Sequence, residues 1–182
     1  MKQRLLFLGP PGAGKGTQAQ RLAQSHDLLH LSTGDLLRAE VQAGSALGQE
    51  AEAVMARGEL VSDQLVLAIV RSRLLGHTGG WLLDGFPRNL VQAEALDGLL
   101  AELEQGIERV VLLELEDGVL IQRLLGRGRA DDNEAVIRHR LEVYREQTAP
   151  LVAHYRQRGL LETVDAAGTI EEIGQRLAAA LT

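Results

Sequence analysis

The sequence predicts an α/β fold, in which a five-stranded parallel sheet is covered by helices on both faces. Short apolar runs alternate along the chain with longer segments of helical periodicity. The strand candidates are almost continuously apolar, which is typical of parallel strands that are buried on both sides. At 182 residues and 45% apolar composition, the chain is long enough to bury one good core.

The order of the elements follows from these patterns. Five strands are predicted, at Arg4–Leu8, Leu28–Leu31, Trp81–Leu83, Val110–Leu115 and Leu160–Val164. Helices are predicted at Gln18–Gln24, Asp35–Ala43, Gln64–Leu75, Leu90–Leu103, Val119–Leu125, Glu134–Arg145 and Ile170–Leu181. Pro150 is expected to break or restart the helix that runs from Asn133 toward Arg158. The long connection between the second and third strands leaves room for a flap over the C-terminal edge of the sheet.

Composition excludes several classes of protein. A net charge of −6 argues against a chain that coats nucleic acid or an anionic membrane. The absence of cysteine excludes a disulfide framework and a cysteine-based zinc site. The beginning of the chain has only four consecutive apolar residues, too few for a signal peptide or a membrane span. We expect a cytoplasmic protein without nucleic-acid or membrane partners.

The stretch GPPGAGKGT, from Gly9 to Thr17, predicts a phosphate-binding loop. It lies between a strand and a helix, which is the context that the pattern G-x-x-x-x-G-K-[ST] requires. Its glycines allow backbone N–H groups to turn inward, and the helix N-terminus adds partial positive charge. Gly16 occupies the usual hydroxyl position and Thr17 follows it. An ordinary glycine-rich turn explains neither Lys15 nor this context, so we predict a P-loop NTPase-type fold that binds a nucleoside triphosphate.

Three further clusters predict polar groups near this loop. In WLLDGFPR, a strand delivers Asp84 to its end, where a carboxylate can hold magnesium directly or through water. The following turn presents Arg88. In STGDLLR, Thr33 and Asp35 suit a helix cap, and Arg38 lies one turn further along. GELVSD by itself passes as a turn between helices.

A run of arginines suggests phosphate transfer. Four arginines (Arg123, Arg127, Arg129 and Arg140) lie close together, with Gly126 and Gly128 between them. A solvated basic face is the ordinary interpretation of such a run. Interspersed glycines and the acidic remainder of the chain favour a hinged flap, in which arginine neutralises several phosphates.

A GTPase switch is the alternative from a different class of protein. Guanine recognition in that class uses an Asn-Lys-x-Asp element, and no lysine here follows an asparagine. Asp165–Gly168 imitates a switch motif but follows the last predicted strand. A non-catalytic nucleotide sensor also finds no support, because the arginine set for transfer looks complete.

Taken together, GPPGAGKGT, STGDLLR, GELVSD, DGFPRN, GRADDN and EQTAP resemble the adenylate kinases. In that family the loop typically reads GKGT, so the displaced hydroxyl is a family trait. The resemblance implies reversible transfer of a phosphoryl group from ATP to AMP, giving two ADP. It places Gly12, Ala13, Gly14, Lys15, Gly16 and Thr17 around the ATP phosphates, with Arg123, Arg127 and Gly168 as further ATP contacts. It assigns the AMP site to Thr33, Arg38, Glu59, Leu60, Val61, Gly85, Phe86, Pro87, Arg88, Gln92, Arg129 and Arg140.

The resemblance also implies how these residues act. Catalytic roles fall to Lys15, Asp84, Arg88, Arg123, Arg129 and Arg140. Residues 1–182 form one kinase domain, with a monophosphate flap at about 32–61 and a short lid at about 126–132. Magnesium arrives with ATP and is held mainly by phosphates and water, with Asp84 as an indirect partner. The short lid has no metal site and no zinc, the five histidines have no catalytic role, and the protein is a monomer.

A UMP/CMP kinase is the alternative within the same class. Thr33 and Gln92 are the residue types that adenylate kinases present to the AMP base, whereas the pyrimidine enzymes tend to have alanine and asparagine there. Asn89 leans toward the pyrimidine pattern. Two positions, both expected to contact the base, favour AMP, and one position favours a pyrimidine nucleotide. We therefore expect AMP to be the substrate.

Overall fold

The computed structural model describes residues 3–57, 61–126 and 133–182. The strands are β1 (Arg4–Leu8), β2 (Leu29–Ser32), β3 (Trp81–Asp84), β4 (Arg109–Glu114) and β5 (Leu161–Asp165). The helices in these ranges are α1 (Lys15–Ser25), α2 (Thr33–Ala43), α3 (Ala46–Ala56), α4 (Asp63–Leu74), α5 (Leu90–Glu102), α6 (Asp117–Gly126), α7 (Glu134–Gln157) and α8 (Ile170–Leu181). Each predicted strand is present, with its ends shifted by at most a residue.

The five strands form one parallel sheet in the order β2-β3-β1-β4-β5. The predicted fold class is therefore confirmed. Ser32 pairs with Asp84, and Asp84 pairs with Phe7, so the carboxyl ends of β2, β3 and β1 meet at one edge. The chain order reverses around β1, which is where open α/β sheets bind ligands.

Alternating side chains of the strands fill two cores, one on each face of the sheet. In β1, Leu5 and Phe7 lie in the core beneath α1, α6 and α8, while Leu6 and Leu8 lie in the other core. The second core is covered by α2 to α5 and the C-terminal half of α7, and it contains the fully buried Trp81. Helices therefore lie on both faces, and the phosphate loop follows a strand that is fixed from both sides.

Helix α3 was not predicted from the sequence. Its stretch, ALGQEAEAVMA, is rich in alanine and has few large apolar residues to mark a helical face. Local capping and close packing define it instead. Ser45 Oγ accepts from the Gly48 amide at 3.0 Å, and a Cβ at Gly48 would lie 1.9 Å from the Glu40 carbonyl oxygen of α2. Only glycine permits this approach of α3 to α2.

The prediction for Pro150 was wrong, because α7 continues through it from Glu134 to Gln157. The proline ring leaves the helix without one backbone hydrogen bond. Packing on both sides of it outweighs that loss. Ile137 and Leu141 lie in one core, and Leu151 and Tyr155 are fully buried in the other.

Candidate active site

The glycine-rich loop connects β1 to the beginning of α1. Gly12 and Gly14 adopt positive φ angles of 87° and 82°, which glycine accommodates without strain. The Ala13 amide donates to the Pro10 carbonyl at 3.2 Å, which closes the loop. Helix α1 begins at Lys15 and therefore directs its first N–H groups toward the loop. This is the geometry of an anion-binding cradle.

Lys15 and Asp84 form an ion pair at the C-terminal edge of the sheet. Lys15 Nζ lies 2.9 Å from Asp84 Oδ1, and the Asp84 side chain is only 9% exposed. Burial opposes ionisation of Asp84, but the neighbouring His30 imidazole and Lys15 ammonium outweigh burial and hold its pKa below the ordinary value. An ionised carboxylate thus stands beside the phosphate loop at neutral pH.

His30 lies near this ion pair, at a position that the sequence analysis did not single out. Its Nε2 atom lies 3.7 Å from Asp84 Oδ2, beyond hydrogen-bonding distance. Because His30 pairs with Leu82, two residues before Asp84 on β3, the side chains of His30 and Asp84 lie on the same face of the sheet. The strand register places His30 at the site, which spacing in the sequence alone does not indicate.

A second group of predicted residues surrounds the turn after β3. Gly85 has a φ angle of 93°, and a Cβ there would lie 2.9 Å from Thr33 Oγ1. Arg88 Nε donates to the Gly85 carbonyl at 3.1 Å. Phe86 is buried, and the peptide bond between Phe86 and Pro87 is cis. The turn therefore brings Thr33, Gly85 and Arg88, three of the residues predicted for the monophosphate site, close together.

Of the other residues predicted for the monophosphate site, some are described by the structure and others are not. Gln92 lies in the first turn of α5 and accepts from the Arg88 amide at 2.7 Å. Arg38 lies on α2 and is paired with Asp35. Val61 is half-buried against the core that contains Trp81. Glu59 and Leu60 lie outside the described residues.

Arg123 joins the phosphate loop to the loop after β5. Its guanidinium donates to the Gly12 carbonyl at 3.1 Å and to the Ala166 carbonyl at 3.3 Å. Gly168, with a φ angle of 111°, lies in the second of these loops. Arg123 thus joins Gly12 to the loop that contains Gly168, whereas Arg127 and Arg129 lie outside the described residues.

A cleft of about 310 Å³ lies between the phosphate loop, the turn after β3 and α7. Its lining includes Lys15 from the phosphate loop, Arg88 from the turn after β3 and Arg140 from α7. Several residues of α7 that the sequence analysis did not select also line it, namely Val143, Tyr144, Gln147, Thr148 and Leu151. Their spacing from Arg140 is that of one helical face, which was the available signal. Burial raises the pKa of Tyr144 to about 12, so its hydroxyl stays neutral.

A larger cleft of about 860 Å³ lies on the other side of α7, against the ends of β4 and β5. It shares Pro10, Tyr144 and Thr148 with the first cleft, but its lining contains neither Lys15 nor Arg88. We place the candidate active site in the smaller cleft because Lys15, Arg88 and Arg140 line it. In the part of the chain that the structure describes, histidine and acidic side chains form no cluster suited to a metal ion, and no helix is long and apolar enough to cross a membrane.

Comparison with known proteins agrees with this geometry. The family model described as "Adenylate kinase" matches residues 7–160. The chain is 74% identical over 181 residues to an adenylate kinase of Synechococcus sp. (strain RCC307), with both chains fully covered. It is 73% identical over 173 residues to one of Prochlorococcus marinus (strain MIT 9303), with 95% of each chain covered. With the phosphate loop, the DGFPR turn and Arg140 arranged around one cleft, and with relatives this similar over the full length, the chain belongs to the adenylate kinase family.

Proposed function

We propose that the protein is a phosphotransferase that converts ATP and AMP reversibly into two ADP. One observation carries the proposal: Lys15 of the phosphate loop and the arginines Arg88 and Arg140 line the same cleft. A nucleotide switch needs cationic groups around one set of phosphates. A transfer enzyme needs cationic groups from more than one element around the transferred group, which the shared lining of Lys15, Arg88 and Arg140 supports.

The donor side of the cleft is formed by the phosphate loop. Backbone N–H groups of Gly12 to Thr17 surround the phosphates of ATP, and Lys15 follows the transferred group. Arg123 lies against the adenine and Gly168 contacts it through the backbone, which is supported by the bonds of Arg123 to both loops. Arg127 completes this side in the proposal.

The acceptor side is formed by the turn after β3 and the flap beyond β2. Thr33, Gly85 and Gln92 lie around the AMP base, and Arg88 binds its phosphate. The same site includes Arg38, Glu59, Leu60, Val61, Phe86 and Pro87, with Arg129 and Arg140 reaching the phosphates during transfer.

The chemistry on this site is positioning and charge neutralisation. An oxygen of the AMP phosphate attacks the terminal phosphorus of ATP, and the bond to the ADP leaving oxygen breaks. The attacking oxygen is already ionised, so no side chain has to remove a proton. Lys15 and the arginines offset the negative charge that gathers between the two nucleotides.

The site also fits magnesium that is bound together with ATP. Asp84 is ionised, stands beside Lys15 and ends a strand at the phosphate loop. A single carboxylate there suits contact through water better than a full ligand set. When bound, magnesium neutralises phosphate oxygens of the nucleotide. Zinc has no part in the proposal.

Two moving parts complete the proposal. A flap at about 32–61, which contains α2 and α3, closes over AMP, and a short lid at about 126–132 closes over ATP. Closure excludes water, which would otherwise accept the phosphoryl group. The proposal treats the protein as one kinase domain, monomeric and cytoplasmic. Gel filtration with light scattering at working concentrations tests the monomer.

The decisive experiment measures ADP formation from Mg-ATP with AMP, UMP, CMP, GMP and dTMP supplied separately. We expect a strong preference for AMP, because Thr33 and Gln92 are the residue types suited to its base. Lys15→Met is the control and should abolish turnover without unfolding the protein. Preference for UMP or CMP would retain the mechanism but reject the substrate, and near-normal turnover of the Lys15 variant would remove that residue from the mechanism.

A further inference from the structure

The carboxamide of Gln92 is fixed at both of its polar atoms. Its Oε1 accepts from the Arg88 amide at 2.7 Å, and its Nε2 donates to Asp63 Oδ1 at 2.8 Å. The first contact is local to the beginning of α5. The second crosses from α5 to the first residue of α4.

These two neighbours fix which end of the carboxamide is oxygen. A backbone N–H can only donate and a carboxylate can only accept, so both partners demand the same orientation. An amide rotated by half a turn would fit the same space but would place its nitrogen against the Arg88 N–H and its oxygen against Asp63. Both hydrogen bonds would then be replaced by repulsive contacts.

The fixed amide keeps one acceptor and one donor available. Oε1 has a second lone pair, and Nε2 has a second hydrogen. A 6-aminopurine has an amino donor beside a ring-nitrogen acceptor, which matches this pair. A 6-oxopurine has a carbonyl oxygen in place of the amino group, and that oxygen would face Oε1.

We propose that Asp63 is a specificity-determining residue, which orients Gln92 so that the site selects 6-amino over 6-oxo purine monophosphates. The inference rests on the proposed AMP site and adds a residue to it. Asp63 does not need to touch the nucleotide. It is a positioning residue, and its effect is on the choice between bases.

Capping offers a purely structural explanation of the same contacts. Asn89 is the N-cap of α5 and accepts from the Gln92 amide at 2.9 Å, so Gln92 takes part in capping. Capping stabilises α5 but has no reason to alter the ratio of activities with two bases of nearly equal size. The ratio therefore separates the two explanations.

The test compares kcat/KM for AMP and for IMP in the whole enzyme with saturating Mg-ATP. Asp63→Asn keeps the shape of the side chain, but its amide can donate or accept, so one of the two constraints on the orientation of Gln92 is lost and only the Arg88 N–H remains to hold it. We expect the AMP-to-IMP ratio to fall by about tenfold, the effect of losing one charge-assisted hydrogen bond. Asp63→Glu, which can only accept, should keep most of the preference.

Glu94→Gln removes an exposed carboxylate from the same helix as Gln92 and serves as the matched control. Circular dichroism and thermal melting establish that each variant is folded. If Asp63→Asn does not fold, Asp63→Ser replaces it, since its hydroxyl also donates or accepts and suits a first helical turn. An unchanged ratio in a folded variant, or equal use of AMP and IMP by the wild type, overturns the inference. Failure of the wild type to phosphorylate AMP at all rejects the proposed function instead.

Discussion

Two cationic side chains of the candidate site form ion pairs with carboxylates. Lys15 is paired with Asp84, and Arg38 with Asp35. Lys15 is thus held in place by a buried carboxylate, whereas the Arg38–Asp35 pair is exposed to solvent. Such pairing orients the side chains in advance and reduces the ordering that binding requires.

The lowered pKa of Asp84 makes a prediction about acid stability. Its folded-state pKa lies below the ordinary value, so its contribution is present above about pH 4 and is lost as the pH falls through the folded value. Asp84→Asn lacks this contribution. We therefore expect the difference in unfolding free energy between wild type and Asp84→Asn to shrink from about pH 5 to about pH 3.

Urea unfolding at several pH values measures this difference. Glu52→Gln removes an exposed carboxylate of α3 and provides the control. A difference that is constant over the acid range would mean that Asp84 is not stabilised in its ionised form.

Arg88 should contribute to transfer far more than an arginine on the surface. Arg88→Ala removes a cation from the cleft, and we expect kcat/KM with AMP to fall by about a hundredfold or more. Arg138→Ala is the matched control, because Arg138 pairs with Glu134 on the exposed side of α7. Steady-state ADP formation measures both. A loss of only about threefold at Arg88 would contradict its placement on the AMP phosphate.

For single residues, the sequence predicted the position of candidate site residues well where a motif directly follows a strand. The loop after β1 and the turn after β3 are such motifs, because parallel strands bring their carboxyl ends to one edge. The contributions of His30 and Tyr144 were not predicted. They depend on strand register and on which face of α7 meets the cleft, and both are decided by packing between distant segments.

Among the elements, α7 spans the largest part of the molecule. It reaches from the active-site cleft at Arg140 to the buried Tyr155, and Pro150 lies between them. A proline inside a helix removes one hydrogen bond and crowds the preceding turn. The tendency of proline to break a helix was overridden here by tertiary packing of α7 on either side of Pro150. No local sequence pattern encodes that packing.

Replacement of Pro150 tests this interpretation. Pro150 is exposed and Ala restores the missing N–H, so we expect Pro150→Ala to stabilise the protein by about 1–3 kcal/mol. Chemical denaturation measures the change, and Glu142→Ala on the same helix should have little effect. A less stable Pro150→Ala would show that the proline is needed to direct Leu151 and Tyr155 into the core.

For the whole molecule, binding of a nucleotide to either side of the cleft should increase the stability of the folded protein. A ligand that binds only the folded state stabilises it by about 2.7 kcal/mol at a concentration a hundred times its Kd. We expect AMP and a non-transferable ATP analogue each to raise the melting temperature. Lys15→Met should lose most of the shift caused by the ATP analogue and keep the shift caused by AMP.

The protein carries its own probe for this measurement. Trp81 is the only tryptophan in the chain and is fully buried in β3. Its emission should therefore report unfolding of the sheet. Equal loss of both ligand shifts in Lys15→Met would contradict separate donor and acceptor sides.

The architecture as a whole was predictable because strands and helices alternate strongly and the sheet is parallel. What the sequence did not predict was α3, whose close packing on α2 requires glycine at position 48. A pattern of apolar residues cannot show that two backbones approach closely. It also cannot show that Asp63 and Gln92 meet, since α4 and α5 are brought together only by the folded sheet.

The central position of β1 has a consequence for how the chain is made. Its partners in the sheet are β3 and β4, at Trp81–Asp84 and Arg109–Glu114, and both follow it by a long stretch of chain. During translation β1 therefore leaves the ribosome long before either neighbour exists, with its apolar side chains unsheltered. The strand that is synthesised ahead of the other four is enclosed only after β4 has emerged, so the phosphate loop should acquire its shape late in synthesis.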